Sequence, residues 1–322
     1  MGRRSYPLYA VVPLLALLAA VVGCGESPAP SNRGGSTETL RALESIERLL
    51  DAGRTEEALR AAEACARTRP DDALAAEMLG RARMAARAPA ADIADAYARA
   101  ADLRRDSPGL QSAAGITAMQ AGRVEIAIAR LTRAAELEPG NAQHPLQRSM
   151  ALRAVGRWSD ARVAAERAVS LAPLEPSAHL ALAQALLGDG QPSQAAAATR
   201  AALACRPTDR GLRFEVGNTL IACGQGAAAV EVVVLPAREP TASPAEIEIL
   251  ARALEAAQQP ESAAEQWQRL AMDPTQPWRP CVQAARCHAQ AGHATRAQEW
   301  MARARERGAP PAEIDRAQSG DR

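Results

Sequence analysis

An all-α chain built from repeated pairs of helices is what this sequence predicts, and two observations carry that expectation. The first is an internal period. Gly122, Gly156, Gly190 and Gly224 stand 34 residues apart, and Gly292 lies two periods further on in the same phase. Ala127, Ala161, Ala195 and Ala229, continued by Ala263 and Ala297, keep that period, as do Pro139, Pro173 and Pro207. Three residue types sharing one period mark an internal repeat. The second is composition. Aromatic residues make up 2% of the chain, Phe214 is its only Phe, and Ala and Leu are abundant. Helices of such residues pack closely through small side chains rather than around large rings.

Each recurring residue has a physical task. Gly at a turn takes the left-handed conformation that closes a first helix. Ala on the second helix leaves room for close approach of its partner. Pro after the second helix stops it and directs the chain into the next repeat.

The N-terminal segment reads as an address. Arg3 and Arg4 precede an apolar run from Leu8 to Val22, shorter than the roughly 20 residues of a membrane-spanning helix. The run stops at Val21-Val22-Gly23-Cys24, which resembles a bacterial lipobox. That resemblance implies a lipoprotein signal over residues 1–24, with Cys24 lipidated and the chain held to a membrane. Gly25, rather than Asp, after the Cys implies the outer membrane over the inner where such sorting exists. Ser5-Tyr6-Pro7 fits twin-arginine export poorly, and Tyr6 stands where myristoylation needs Ser or Thr. Residues 25–38 are dominated by Ser, Pro, Asn and Gly and read as a flexible tether.

The clearest unit runs from Pro108 to Asn141, with Gly115, Gly122, Ala127, Ala134 and Pro139. The next, Ala142–Glu175, has Gly156, Trp158, Ala161, Ala168 and Pro173. The third, Pro176–Asp209, has Gly190, Ala195, Ala202 and Pro207. Thr39–Asp72 fits through Gly53, Ala58 and Pro70. Residues 73–107 are degenerate: Pro89 sits near the turn, and one extra residue precedes the return of the phase. Residues 210–243 are degenerate too. Their second helix is expected to break at Val232–Pro236, with Pro236, Pro240 and Pro244 forming an irregular joint. Units near Pro244–Gln276 and Trp278–Pro311 follow, and residues 312–322 read as a polar tail.

These motifs resemble the tetratricopeptide repeat, whose unit is a helix, a tight turn and a second antiparallel helix. The resemblance covers residues 39–311 and implies a right-handed α-solenoid of about eight antiparallel helix pairs. In that family the first helices line the concave face. Carried onto this chain, the groove would be lined by Ile116, Met119, Leu146, Met150, Leu180, Leu187, Phe214 and Ile221, with Ser112, Arg153, Gln184 and Asn218 among them. A register shifted by one would instead place several of these in the core between helices.

The residues suggest no enzyme and no cofactor. Cys281, Cys287, His288 and His293 cluster in the last repeat, but Cys281 and Cys287 stand about 240° apart around one helix, unlike the usual zinc pairs. Cys65 and Cys205 fall on second helices, where buried thiols pack. Cys205 and Cys223 would lie roughly 20 Å apart, too far for a disulfide. Gly224-Gln225-Gly226 lacks the preceding strand and following Lys of a phosphate loop. Charge gives no footprint for nucleic acid: 38 basic residues, all Arg, face 37 acidic ones, a net of +1. Absence of Lys also disfavours the Lys- and Asn-based carboxylate clamp of chaperone-binding relatives.

The expectation is therefore a lipid-anchored scaffold in the bacterial envelope, facing the periplasm or the exterior. Its partner would be a protein or peptide, an amphipathic helix or an extended apolar segment. Assembly of pili, secretion pores, outer-membrane machinery or peptidoglycan enzymes is the context such repeat lipoproteins imply. A structural or glycan-associated envelope protein is the alternative, disfavoured by the scarcity of aromatics for sugar stacking.

Overall fold

The computed structural model describes residues 37–273 and 275–319. The expected signal and its Cys24 lie outside the described residues, as does the tether up to Ser36. Among the described residues there are seventeen helices and no strand. The chain divides into two compact units, Met1–Val155 and Gly156–Arg322.

The first unit holds α1 (Thr37–Asp51), α2 (Thr55–Thr68), α3 (Ala73–Ala85) and α4 (Ala90–Leu103). It continues with α5 (Pro108–Gln120), α6 (Val124–Leu137) and α7 (Gln143–Ala154). The second unit opens with α8 (Trp158–Leu171), α9 (Pro176–Gly188), α10 (Pro192–Cys205), α11 (Arg210–Ala222) and α12 (Gly226–Arg238). It closes with α13 (Pro244–Ala256), α14 (Pro260–Ala271), α15 (Arg279–Gln290), α16 (Ala294–Glu306) and α17 (Pro311–Ser319). Within each unit every helix packs against its chain neighbours, and first helices also meet one another, α1 on α3, α5 on α7, α9 on α11 and α11 on α13.

The turns after the first helices carry the repeat. Gly53, Gly122, Gly156, Gly190, Gly224 and Gly292 all have positive φ, between 69° and 81°. Arg123 N–H reaches back to the Ala118 carbonyl and Gly122 N–H to that of Met119, so the orphan carbonyls of α5 are paired. Gln191 on Leu186, Gln225 on Leu220 and His293 on His288 repeat that bond. Two turns lack glycine: Arg87 (φ 54°) and Gln258 (φ 58°) occupy its place and adopt the same conformation. Eight such turns recur, and the extra residue between Arg87 and Gly122 falls in the turn Ala86–Pro89, one residue longer than the others. Pro89 caps α4 there, so the helices on either side keep their phase.

Several first helices start on a side-chain cap. Asp72, Ser107, Asp209 and Ser243 each accept a backbone N–H from the first turn that follows. Ser243 and Glu246 complete a reciprocal capping box. Between the helices of a pair the contact is made by small residues. Ala58, Ala127, Ala161, Ala195, Ala229 and Ala263 are fully buried. A Cβ on Gly115 would come within 2.7 Å of Leu131, and one on Gly217 within 2.5 Å of Val233.

Two expectations are corrected. Helix α12 does not break at Pro236 but runs through it to Arg238. A proline inside a helix leaves the carbonyl four residues back without its donor. Here that carbonyl belongs to Val232, and Arg213 of α11 donates to it at 3.2 Å. Arginines also cap the end of the helix: Arg210 donates to the Pro236 carbonyl at 3.1 Å and Arg269 to the Ala237 carbonyl at 2.8 Å. The expected polar tail is also partly wrong, because residues 311–319 form α17. Ile314 is buried in the core of the second unit, and Ala317 packs beside it. One isoleucine and one alanine at helical spacing suffice to seat a short helix whose composition is otherwise polar.

Two stability tests follow from this backbone. Gln258→Gly should stabilise the chain by about 0.5–1 kcal/mol, because a side chain in the left-handed region costs about 1–2 kcal/mol and glycine returns part of that as unfolded-state entropy. Gly224→Gln in the preceding turn should move the urea midpoint the opposite way. Arg213→Met should cost about 1–3 kcal/mol by orphaning the Val232 carbonyl. In a Pro236→Ala background, where an N–H returns, the same change should cost at least ~1 kcal/mol less. Equal losses in both backgrounds would rule out that role for Arg213.

Candidate functional site

The expected groove residues fall into three rows along the first helices, each with the 34-residue period. Ser112, Leu146, Leu180 and Phe214 form one row. Ile116, Met150, Gln184 and Asn218 lie one turn further on, and Met119, Arg153, Leu187 and Ile221 one turn beyond that.

The first row is core, which corrects the groove reading for Leu146, Leu180 and Phe214. They are 4%, 8% and 7% exposed. The reason is visible in the first unit, where Ser112 Oγ donates to Gln147 Oε1 at 2.8 Å from α5 to α7. Within each unit this row sits at the seam where one first helix meets the next. Ile116 is also core, at 2% exposure. Helix α5 is enclosed from Leu110 through Ala118, so amphipathic periodicity could not reveal which side stays open.

The remaining seven residues are half-exposed. In the first unit these are Met119 of α5 and Met150 and Arg153 of α7. In the second they are Gln184 and Leu187 of α9 and Asn218 and Ile221 of α11, two helices in contact. The Asn218 Oδ1 is buried and has no hydrogen-bond partner. Sequence reasoning missed the continuation of the middle row. Arg252 of α13 and Arg286 of α15 follow Asn218 at the same period and are half-exposed as well. At the start of the chain, Glu47 and Arg81 hold the equivalent places and pair with each other at 3.2 Å. The period itself was the signal for all four.

Charge along the first unit is uneven. Arg123 pairs with Asp95, and Arg130 with Asp102. Helices α5 and α7 contain neither Asp nor Glu. Arg153 Nε is buried without a hydrogen-bond partner. Burial alone pulls the guanidinium down from its usual range to about 10, with no acid near enough to oppose it.

The last repeat holds a different cluster. Cys281 and Cys287 are both buried on α15. Cys287 Sγ lies 3.4 Å from the Glu255 carboxylate, which also accepts from the Trp267 indole. Burial and that carboxylate push the Cys287 thiol well above its ordinary range, so it stays protonated and unreactive. His288 is buried, with its Nε2 against Gln268. Among the described residues no group of three or more His, Cys, Asp or Glu is placed to hold a metal ion, and no helix is long and apolar enough to cross a membrane.

Comparison with known proteins places this geometry. The family profile described as the tetratricopeptide repeat matches residues 43–108 and 146–210. No curated protein matches the chain. A tetratricopeptide-repeat protein of Parabacteroides merdae is similar in structure, with a TM-score of 0.58 at 12% identity, over 82% of this chain and 100% of that one. PilW, described as a widely conserved type IV pilus biogenesis factor, is similar at TM-score 0.51 and 18% identity, over 65% of this chain and 96% of its own. At these identities the likeness is one of fold. With the repeat profile matched in both units and a left-handed turn closing every first helix, this chain has an all-α fold of the tetratricopeptide-repeat type.

Proposed function

We propose that the chain is a non-enzymatic scaffold, anchored by lipid at Cys24, that docks a protein or peptide on the exposed rows of its first helices. The observation that carries this reading is the half-exposed apolar set Met119, Met150, Leu187 and Ile221. These recur at fixed places on the first helices. Apolar side chains left open at regular intervals favour an amphipathic helix or an extended apolar segment as the occupant. The amides of Gln184 and Asn218 lie among them as hydrogen-bonding punctuation. The lipobox-like Val21–Cys24 supports placement at a membrane of the bacterial envelope, the outer one by the Gly25 criterion. Pilus, secretion, outer-membrane or peptidoglycan assembly is the process in which such an adaptor would serve.

Two experiments test this. Cys24→Ser should release the protein from membranes or leave an unprocessed precursor in cell fractionation; identical fractionation and migration would refute the anchor. Changing Met150 and Leu187 together to Glu should abolish co-purification of the partner with the detergent-solubilised protein. The pair should cost no more than about 1 kcal/mol, because partly exposed positions tolerate polar change. Ala161→Leu is the control: Ala161 is fully buried, and overpacking there should cost about 1–3 kcal/mol. A double variant that melts as early as this control would place Met150 and Leu187 in the core. One that folds and keeps every partner would exclude the central rows as the site.

A further inference from the structure

Resting on that docking reading, one residue specifies the partner's chemistry further. Arg153 stands in the last turn of α7, one turn beyond Met150 and 34 residues beyond Met119 at the same place on α5. Several other arginines of the first unit are paired with acids: Arg54 with Glu57, Arg81 with Glu47, Arg123 with Asp95 and Arg130 with Asp102. The acid closest before α7, Glu138, accepts instead from His144 at 2.9 Å and Asn141 at 3.0 Å. Arg153 is half-buried, its Nε is enclosed without an acceptor, and the two first helices of this region carry no acid. Arg148 shares the unpartnered Nε. Five residues earlier, it stands about 140° around the helix, away from the row of Met119.

We propose that Arg153 anchors a side-chain carboxylate of the docked segment, an Asp or Glu set among apolar side chains that cover Met119 and Met150. A guanidinium whose Nε has given up water without gaining an acceptor is destabilising in the free protein, and an arriving carboxylate offsets part of that penalty. Its parallel N–H donors suit a carboxylate in a two-pronged geometry. Apolar cover from the flanking methionines lowers the local dielectric and strengthens the pair. Register follows as well, since Arg153 is the one cation among the expected groove residues of α5 and α7 and fixes where the acid must sit.

The test uses random peptides displayed on phage through their C-termini, panned on the full chain in detergent, with selected sequences resynthesised as C-terminal amides. Selected peptides are expected to share an Asp or Glu between apolar residues. Changing that acid to its amide, or Arg153→Gln in the protein, should each weaken binding by on the order of 30-fold or more. The two together should cost little more than either alone. Arg153→Gln should melt no earlier than wild type; if it does melt earlier, the peptide-side change still decides. Peptides that ignore Arg153→Gln and their own acid, yet fail on the Met150→Glu, Leu187→Glu protein, would overturn the anchor and leave the docking reading standing. Selected peptides that no longer need their side-chain acid once resynthesised with a free C-terminal carboxylate would overturn the side-chain assignment. No enrichment over an unrelated helical protein would end both readings.

Discussion

The structure depends on how closely two helices of a pair approach, and that approach is set by what is missing from their contact. Gly80 lies under the ring of Tyr97, Gly115 under Leu131 and Gly217 under Val233, each too near to admit a Cβ without displacement. Elsewhere the same contacts are made by alanines with no exposed surface. With backbones this near, a repeat needs few large side chains to exclude water, which explains how an almost aromatic-free chain buries the contacts within its helix pairs. The arrangement also makes stability local. Each pair secures itself and leans on its neighbours, so no single residue holds the whole array.

Because the helices are short, their ends are many, and arginine is the residue that closes them. Arg99 donates to the Pro70 carbonyl, Arg210 to that of Pro236, Arg269 to those of Ala237 and Glu239, and Arg307 to that of Ala271. In each case the guanidinium lies 26 to 36 residues along the chain from the carbonyl it meets. Arg210 also bonds Glu246, holding that carboxyl down to about 2. An ammonium could carry the charge but lacks the planar fork with which Arg210 reaches one carbonyl and two carboxylates. Lysine's absence from the composition thus coincides with a structural use of what replaced it.

The repeat was legible because its markers act on the backbone. Glycine spacing located six of the eight left-handed turns. Arg87 and Gln258 were opaque, since nothing in an Arg or a Gln announces a positive φ; the period alone implies them. Pro236 misled for a related reason. Its effect on α12 depends on Arg213, a residue on another helix whose role no local pattern records. The expected groove was drawn partly one row too deep, into the core between helices. Residues one turn apart on a helix enclosed on most sides have the same apolar character, so Leu146 and Met150 look alike in sequence. They separate only once α5 is seen against α7. Ile314 shows the opposite failure, a short apolar stripe hidden within a polar composition.

The turn Ala86–Pro89 holds one residue more than its counterparts, and the helices before and after it are undisturbed. A residue added within a helix would rotate every later side chain on it by about 100° and carry the buried alanines to the surface. Added in a turn, it costs only a small increment of loop entropy. Turns are therefore the expansion joints of this architecture. Related chains can drift in length there while the faces of their helices stay in register.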